Sequence, residues 1–163
     1  MAPPRWRGLL MAVTLLTALV LMAEMASRLW LTASAEQRIA LPLVAGCPLH
    51  LQACRAELPG GGVLTFEITP KQPNPAEAIV LVARFEGVEP EAVQVSFEGK
   101  EMYMGYLSYP LRRQQELADA LQFSGRGSLS ICIRSLMEWV AKVEVQLGEV
   151  IYEVPFEFET LHQ

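Results

Sequence analysis

The chain predicts an all-β fold, an antiparallel immunoglobulin-like β-sandwich, preceded by one N-terminal transmembrane helix. Three observations point there. An uncharged apolar run, Gly8 to Ala23, follows Arg5 and Arg7. From Val63 onward, short stretches alternate apolar and polar side chains, the period of half-buried strands. Turn-forming Gly, Pro and Asn residues punctuate these stretches, and no long helical pattern appears outside the first segment.

The first element is set by length. The sixteen residues from Gly8 to Ala23 fall short of the roughly 20 needed to cross a bilayer. Met25, Ala26, Leu29, Trp30 and Leu31 continue the apolar pattern past Glu24 and Arg28, so a helix over residues 8–31 suffices. Trp30 and the two charges would then sit at the far interface. Residues 1–7 form a short leader whose only cationic side chains are Arg5 and Arg7. Positive charge favours the cytoplasmic side, which predicts a single-pass anchor in a bacterial inner membrane with the C-terminal domain in the periplasm. A cleaved signal peptide, with Ala33-Ser34-Ala35 as the cleavage site, is the competing reading. Either way the remainder is exported.

Residues 32–46 read as a spacer and 47–163 as one domain. The chain carries 13 basic and 18 acidic residues; without Arg5, Arg7, Arg28 and Glu24 the exported part has 10 and 17. That balance argues against nucleic acid and anionic lipid surfaces as partners of the domain. All three cysteines, Cys47, Cys54 and Cys132, fall in the exported part. In an oxidising compartment Cys47 and Cys54, which enclose six residues, are expected to form a disulfide beside an incidental His50. Cys132 is left over, either a buried thiol or one kept for metal or redox chemistry.

Taken in order, Gly60-Gly61-Gly62 is a turn and Val63 to Ile68 a strand with Leu64, Phe66 and Ile68 on one face. Pro70 to Pro75 is a loop. Ala78 to Phe85 is nearly all apolar, as expected of a central strand. Ala92 to Phe97 alternates, Glu98-Gly99-Lys100 turns, and Glu101 to Tyr109 is strand-like. Leu111 to Leu121 reads as a polar loop or short helix, and Phe123 to Gly127 as a turn. Ser128 to Ile133 is expected as a strand with Leu129, Ile131 and Ile133 sharing a face and Cys132 on the other. Met137 to Leu147 and Val150 to Thr160 form a hairpin about Gly148-Glu149, with Tyr152, Val154, Phe156 and Phe158 inward and a glutamate ladder facing solvent.

The domain keeps three of the chain's seven methionines, and they lie in two short motifs. Met102 and Met104, at i and i+2, would share one face of a strand. Met137 follows Cys132 by five residues. If the two segments meet, one thiol and three thioethers converge, a soft set that selects Cu(I). The bland alternative is that the methionines fill gaps in the core. No nucleophile elbow, phosphate loop, zinc-protease motif or paired carboxylates suggest an enzyme, and no small-molecule substrate is evident.

Met102-Tyr103-Met104-Gly105 and Met137-Glu138-Trp139, set behind a short N-terminal anchor, resemble the FixH/YtkA-like group of membrane-anchored periplasmic proteins. The resemblance covers about residues 60–160. It implies an accessory role in copper handling or the assembly of a cytochrome oxidase-type complex, with Met102, Met104 and Met137 as ligands. Cys132 and the Cys47/Cys54 pair depart from the usual pattern. A rival expectation is a metal-free interaction module that docks a membrane protein partner through exposed Tyr103, Tyr106 and Tyr109.

Overall fold

The computed structural model describes residues 5–33, 37–74, 77–114, 121–131 and 135–161, and within the helix the side chains of Trp6, Gly8 and residues 10–27. Cys132, His162, Ser34 and Ala35 of the alternative cleavage site, and residues 115–120 of the expected loop or helix lie outside these. The chain divides into two units, Met1–Glu36 and Gln37–Gln163.

The described residues of the first unit form helix α1 (Arg5–Ala33). Its Leu10–Ser27 stretch is long and apolar enough to cross a membrane, with mean hydropathy 1.9 and none of it buried against protein. Apolar side chains surround the helix rather than forming one stripe, which suits a lipid environment rather than a protein core.

The regular structure of the second unit, among the described residues, is all β. Its strands are β1 (Gln37–Ala40), β2 (Cys54–Leu58), β3 (Gly62–Thr69), β4 (Ile79–Glu86), β5 (Ala92–Gly99), β6 (Leu107–Arg113), β7 (Leu121–Gly127), β8 (Leu136–Leu147) and β9 (Val150–Leu161). They form one sheet in the order β1-β9-β8-β5-β6-β7-β4-β3-β2, curled into a half-barrel. The pairing is antiparallel except that β1 runs parallel to β9, so the sheet is mixed where an antiparallel one was expected. The exception arises because the chain enters alongside the last strand instead of turning back from it.

Curling brings the inward faces together. Phe66 of β3 packs on Phe156 of β9 with ring centroids 5.5 Å apart, although the two strands lie near opposite ends of the strand order. Trp139, Phe97 and Phe158 fill one side of the core and Phe85 and Phe123 the other. The expected inward sets hold for Leu64, Phe66 and Ile68 and for Val154, Phe156 and Phe158, whereas Tyr152 is only half-buried.

Two prolines explain the sheet's shape. β6 pairs with β5 through Leu107–Leu111 and with β7 through Arg112 and Arg113. Pro110, which has no N–H to donate, sits just before that exchange of partners. In β9 the parallel ladder with β1 ends at Glu153, two residues before Pro155. Beyond it residues 41–49 track the β9 edge only as donors: Leu41 N–H to Glu153 O, Val44 N–H to Pro155 O and Leu49 N–H to Glu157 O, at 2.8, 3.2 and 3.0 Å. Much of the expected spacer is thus part of the β unit.

The other differences are local. Residues 121–127 form a strand where a turn was expected. Gly125 and Gly127 do not bend the chain; a Cβ there would lie 2.7 Å from the Leu111 side chain and 2.9 Å from the Tyr109 ring. Conversely, the expected strand over 101–109 begins only at Leu107. Gly105, with φ of +84°, turns the backbone before it. The described part of the expected 128–133 strand is irregular, and Leu129 is buried while Ile131 is 70% exposed, so they do not share a face.

Candidate functional site

Met102, Met104 and Met137 lie at the end of the β unit where β5 finishes and β8 begins. Gly99 pairs with Trp139 at the last rung of that ladder. A side chain on Gly99 would point inward, as Phe97 does two residues earlier. That space is filled from elsewhere: a Cβ on Gly99 would lie 2.7 Å from Met137 Cε, 3.1 Å from Met104 Cγ and 2.5 Å from the Met102 carbonyl oxygen. Two methionines far apart in sequence therefore meet over one glycine.

Their surroundings differ. Met137 is 3% exposed and belongs to the core, Met104 packs against its rim, and Met102 is 39% exposed. Residues 101–106 are not a strand, so strand alternation does not relate Met102 to Met104, and both border one cavity. The structure brings Met104 and Met137 together and leaves Met102 beside them at the surface. Ser130 donates to the Met104 carbonyl at 2.9 Å and fixes the loop from below. The Tyr103 and Tyr106 side chains are 88% and 58% exposed. Tyr109, expected at the surface with them, instead packs on Phe97 and donates to the Ser128 carbonyl at 2.9 Å.

On the outward side, the Lys100 N–H extends the ladder by donating to Glu138 O. Its ammonium sits 3.0 Å from Glu157 and 3.4 Å from Glu138. The hydrogen bond to Glu157, then that to Glu138, raises the Lys100 pKa above its ordinary value. Next to it, a 240 Å³ cleft is lined by Lys100, Trp139, Phe158, Cys47 and His50.

The expected disulfide is present, Cys47 to Cys54, with Cα atoms 5.8 Å apart. Its position gives it a task. Cys54 opens β2 at one end of the strand order, while residues 41–49 follow β9 near the other. The bond therefore staples the seam of the curled sheet. His50 is not incidental either. Its Nδ1 accepts the Glu159 N–H at 3.1 Å, satisfying a donor on the exposed edge of β9.

A second buried cluster was not foreseen. Glu144, on the outward face of β8 by alternation, is only 7% exposed. Arg38 of β1 lies 3.0 Å from one carboxylate oxygen, and the Tyr106 hydroxyl donates to the other at 3.4 Å. Alternation assigns Glu144 outward correctly, but it carries no trace of a strand and a tyrosine arriving from elsewhere to cover it.

Among the described residues no group of three His, Cys, Asp or Glu side chains is placed to hold a metal. No protein-family model, curated protein or solved structure matches the chain.

Proposed function

We propose that the chain is a membrane-anchored, periplasmic accessory protein that handles Cu(I) for a respiratory, cytochrome oxidase-type complex. The observation that carries this reading is the meeting of Met104 and Met137 over Gly99 with Met102 at the adjoining surface. Thioethers are soft, uncharged ligands suited to Cu(I). One exposed methionine beside two sheltered ones suits entry and release by ligand exchange, with Cys132 as the further soft donor. Helix α1 is the anchor, and Arg5 and Arg7 favour a cytoplasmic N-terminus.

An immunoglobulin-like description of the β unit draws support from its strand order. With β3 to β9 named A to G, the neighbours β3-β4-β7-β6 and β5-β8-β9 follow the A-B-E-D and C-F-G orders of that fold.

The test is a Cu(I) titration of the full chain in detergent micelles against a competing chelator. We expect the Met102→Leu/Met104→Leu variant to lose at least about tenfold in affinity. Equal affinity of variant and parent removes the site.

The exposure of Tyr103 and Tyr106 favours a second reading, an interaction module docking a membrane protein partner through the 101–106 loop. A photo-crosslinker at Tyr103 should trap a partner in intact membranes, whereas one at Leu43 should not.

A further inference from the structure

Tyr106 ends the methionine loop, and its side chain leaves the loop for a residue two strands away. Its hydroxyl donates to Glu144 on β8 at 3.4 Å. β5 lies between β6 and β8 in the sheet. Leu107 is opposite Phe97 and Glu144 opposite Gln94, so Tyr106 starts level with Glu98 and reaches to the level of Gln94. Ser96 stands midway, and the tyrosine side chain crosses above it.

That crossing accounts for an anomaly on the outer face of the sheet. Ser96 faces outward by alternation, between Val95 and Phe97 of the core, yet it is 1% exposed. Ser108, its partner on β6, shares that face. Both hydroxyls are buried, and neither has a hydrogen-bond partner among the described residues. A buried hydroxyl without a partner favours any rearrangement that lets water reach it. Tyr106 is itself 58% exposed, so the cover is a single side chain with water on its far side.

The loop is hung between two glycines. Gly105, directly before Tyr106, has φ of +84° and open space where a side chain would be. Gly99 closes β5 at the other end. Residues 98–106 line a 410 Å³ cavity. The far end of the tyrosine bond is fixed instead, because Glu144 is buried and Arg38 holds it at 3.0 Å.

We propose that Tyr106 is a positioning residue that latches the methionine loop. With its hydroxyl on Glu144 the loop holds Met104 against Met137 over Gly99; when that bond opens, the loop loosens and Met104 becomes accessible. The Ser96 and Ser108 hydroxyls gain water in the open state, which brings the two states closer in free energy. Ser130, bonded to the Met104 carbonyl, keeps the opening local. The proposal rests on the Cu(I) reading above and adds how that site is gated: the closed latch retains the ion and the open latch releases it.

The test is oxidation of the metal-free full chain in detergent micelles by hydrogen peroxide, with sulfoxide at each methionine read by peptide mass spectrometry. Two methionines serve as internal standards: Met102 is exposed in both states, and Met137 reports wider unfolding. In Tyr106→Phe, which keeps the ring and removes the hydroxyl, Met104 should oxidise roughly three- to tenfold faster, the worth of one hydrogen bond, with Met102 and Met137 unchanged. Ser96→Ala/Ser108→Ala should act in the opposite direction and slow Met104, because the closed state then hides no unpaired hydroxyl. A Met104 rate equal to the parent's in either variant overturns the latch. So does a rise at Met104 and Met137 together, which marks general loosening. Transfer of Cu(I) to a competing chelator, followed by stopped flow, should quicken in Tyr106→Phe by about the same factor. Unchanged transfer from a chain that binds Cu(I) overturns the gating. A parent chain that binds no Cu(I) sinks the metal reading, while the oxidation pattern still decides the latch.

Discussion

Gly99 shows how a single missing atom organises the candidate site. A methyl group there would overlap the Met102 carbonyl and the end of Met137, at 2.5 and 2.7 Å. Backbone oxygen cannot step aside as a flexible side chain can. Gly99→Ala should therefore cost about 1–3 kcal/mol and separate Met104 from Met137. Chemical denaturation reads the first and Cu(I) affinity the second; an unchanged midpoint would show that the loop yields freely. Thr160 is a second single-atom case. Its hydroxyl accepts the buried Trp139 indole N–H at 3.0 Å. Thr160→Val keeps the shape but strands the donor, so a loss of about 1–3 kcal/mol is expected, and Thr160→Ser should recover most of it. Neither role was visible in sequence. Glu-Gly-Lys reads as an ordinary turn, and a threonine near a strand's end says nothing about an indole twenty-one residues earlier.

At the scale of elements, the seam between the two ends of the sheet is closed by a disulfide, an edge-tracking segment and one histidine. Replacing Cys47 and Cys54 by alanine releases a short loop, for which chain entropy gives about 2–3 kcal/mol. The same change should speed hydrogen exchange at the Leu49 and Glu159 amides, which bond to Glu157 O and His50 Nδ1. Exchange at those amides unchanged in the alanine variant would mean that backbone bonding alone holds the seam. β1 depends on a different contact. Arg38→Ala would leave Glu144 buried with Tyr106 as its remaining named partner. Because Arg38 is half exposed, the loss is nearer about 1 kcal/mol than that of a fully buried pair. It should appear as faster exchange over residues 37–40. The disulfide was legible because two cysteines with six residues between them can pair by closing only a short loop. β1, β2 and β7 were not: β1 lies in a segment with no alternation, β2 is only five residues long, and the glycines of β7 resemble a turn. Those glycines instead admit Tyr109 and Leu111, a packing need set by a strand elsewhere in the chain.

For the whole molecule, ion pairs between strands set the pH limits of stability. The Lys71 ammonium, 3.0 Å away, supported by Arg84, holds the Glu67 carboxyl below its ordinary 4.5. A lowered acid pKa stabilises the fold above 4.5, and that contribution is lost as pH falls through the folded value. The hydrogen bond from Glu98, with Glu153 behind it and burial opposing, holds Lys142 above its ordinary 10.5. A raised amine pKa stabilises below 10.5, and its contribution is lost as pH rises through the folded value. Thermal melts should therefore be flat through neutrality, and Lys71→Met should weaken the acid-side loss while leaving the alkaline side unchanged. An acid limb identical to the parent's would show that Glu67 has no part in it. What the amino-acid order determined by itself was the local pattern: a helix long and apolar enough to cross a membrane, strands of period two, and a disulfide between close cysteines. Only the tertiary structure decided that the strands form one curled, mixed sheet, that Met104 meets Met137 with Met102 beside them at the surface, and that exposed leucines gather at one end. The reason is physical. Alternation records which side of a strand avoids water, a property of neighbours along the chain. Which strands pair, and what then covers an outward glutamate or fills the space above a glycine, depends on residues brought together from tens of positions away.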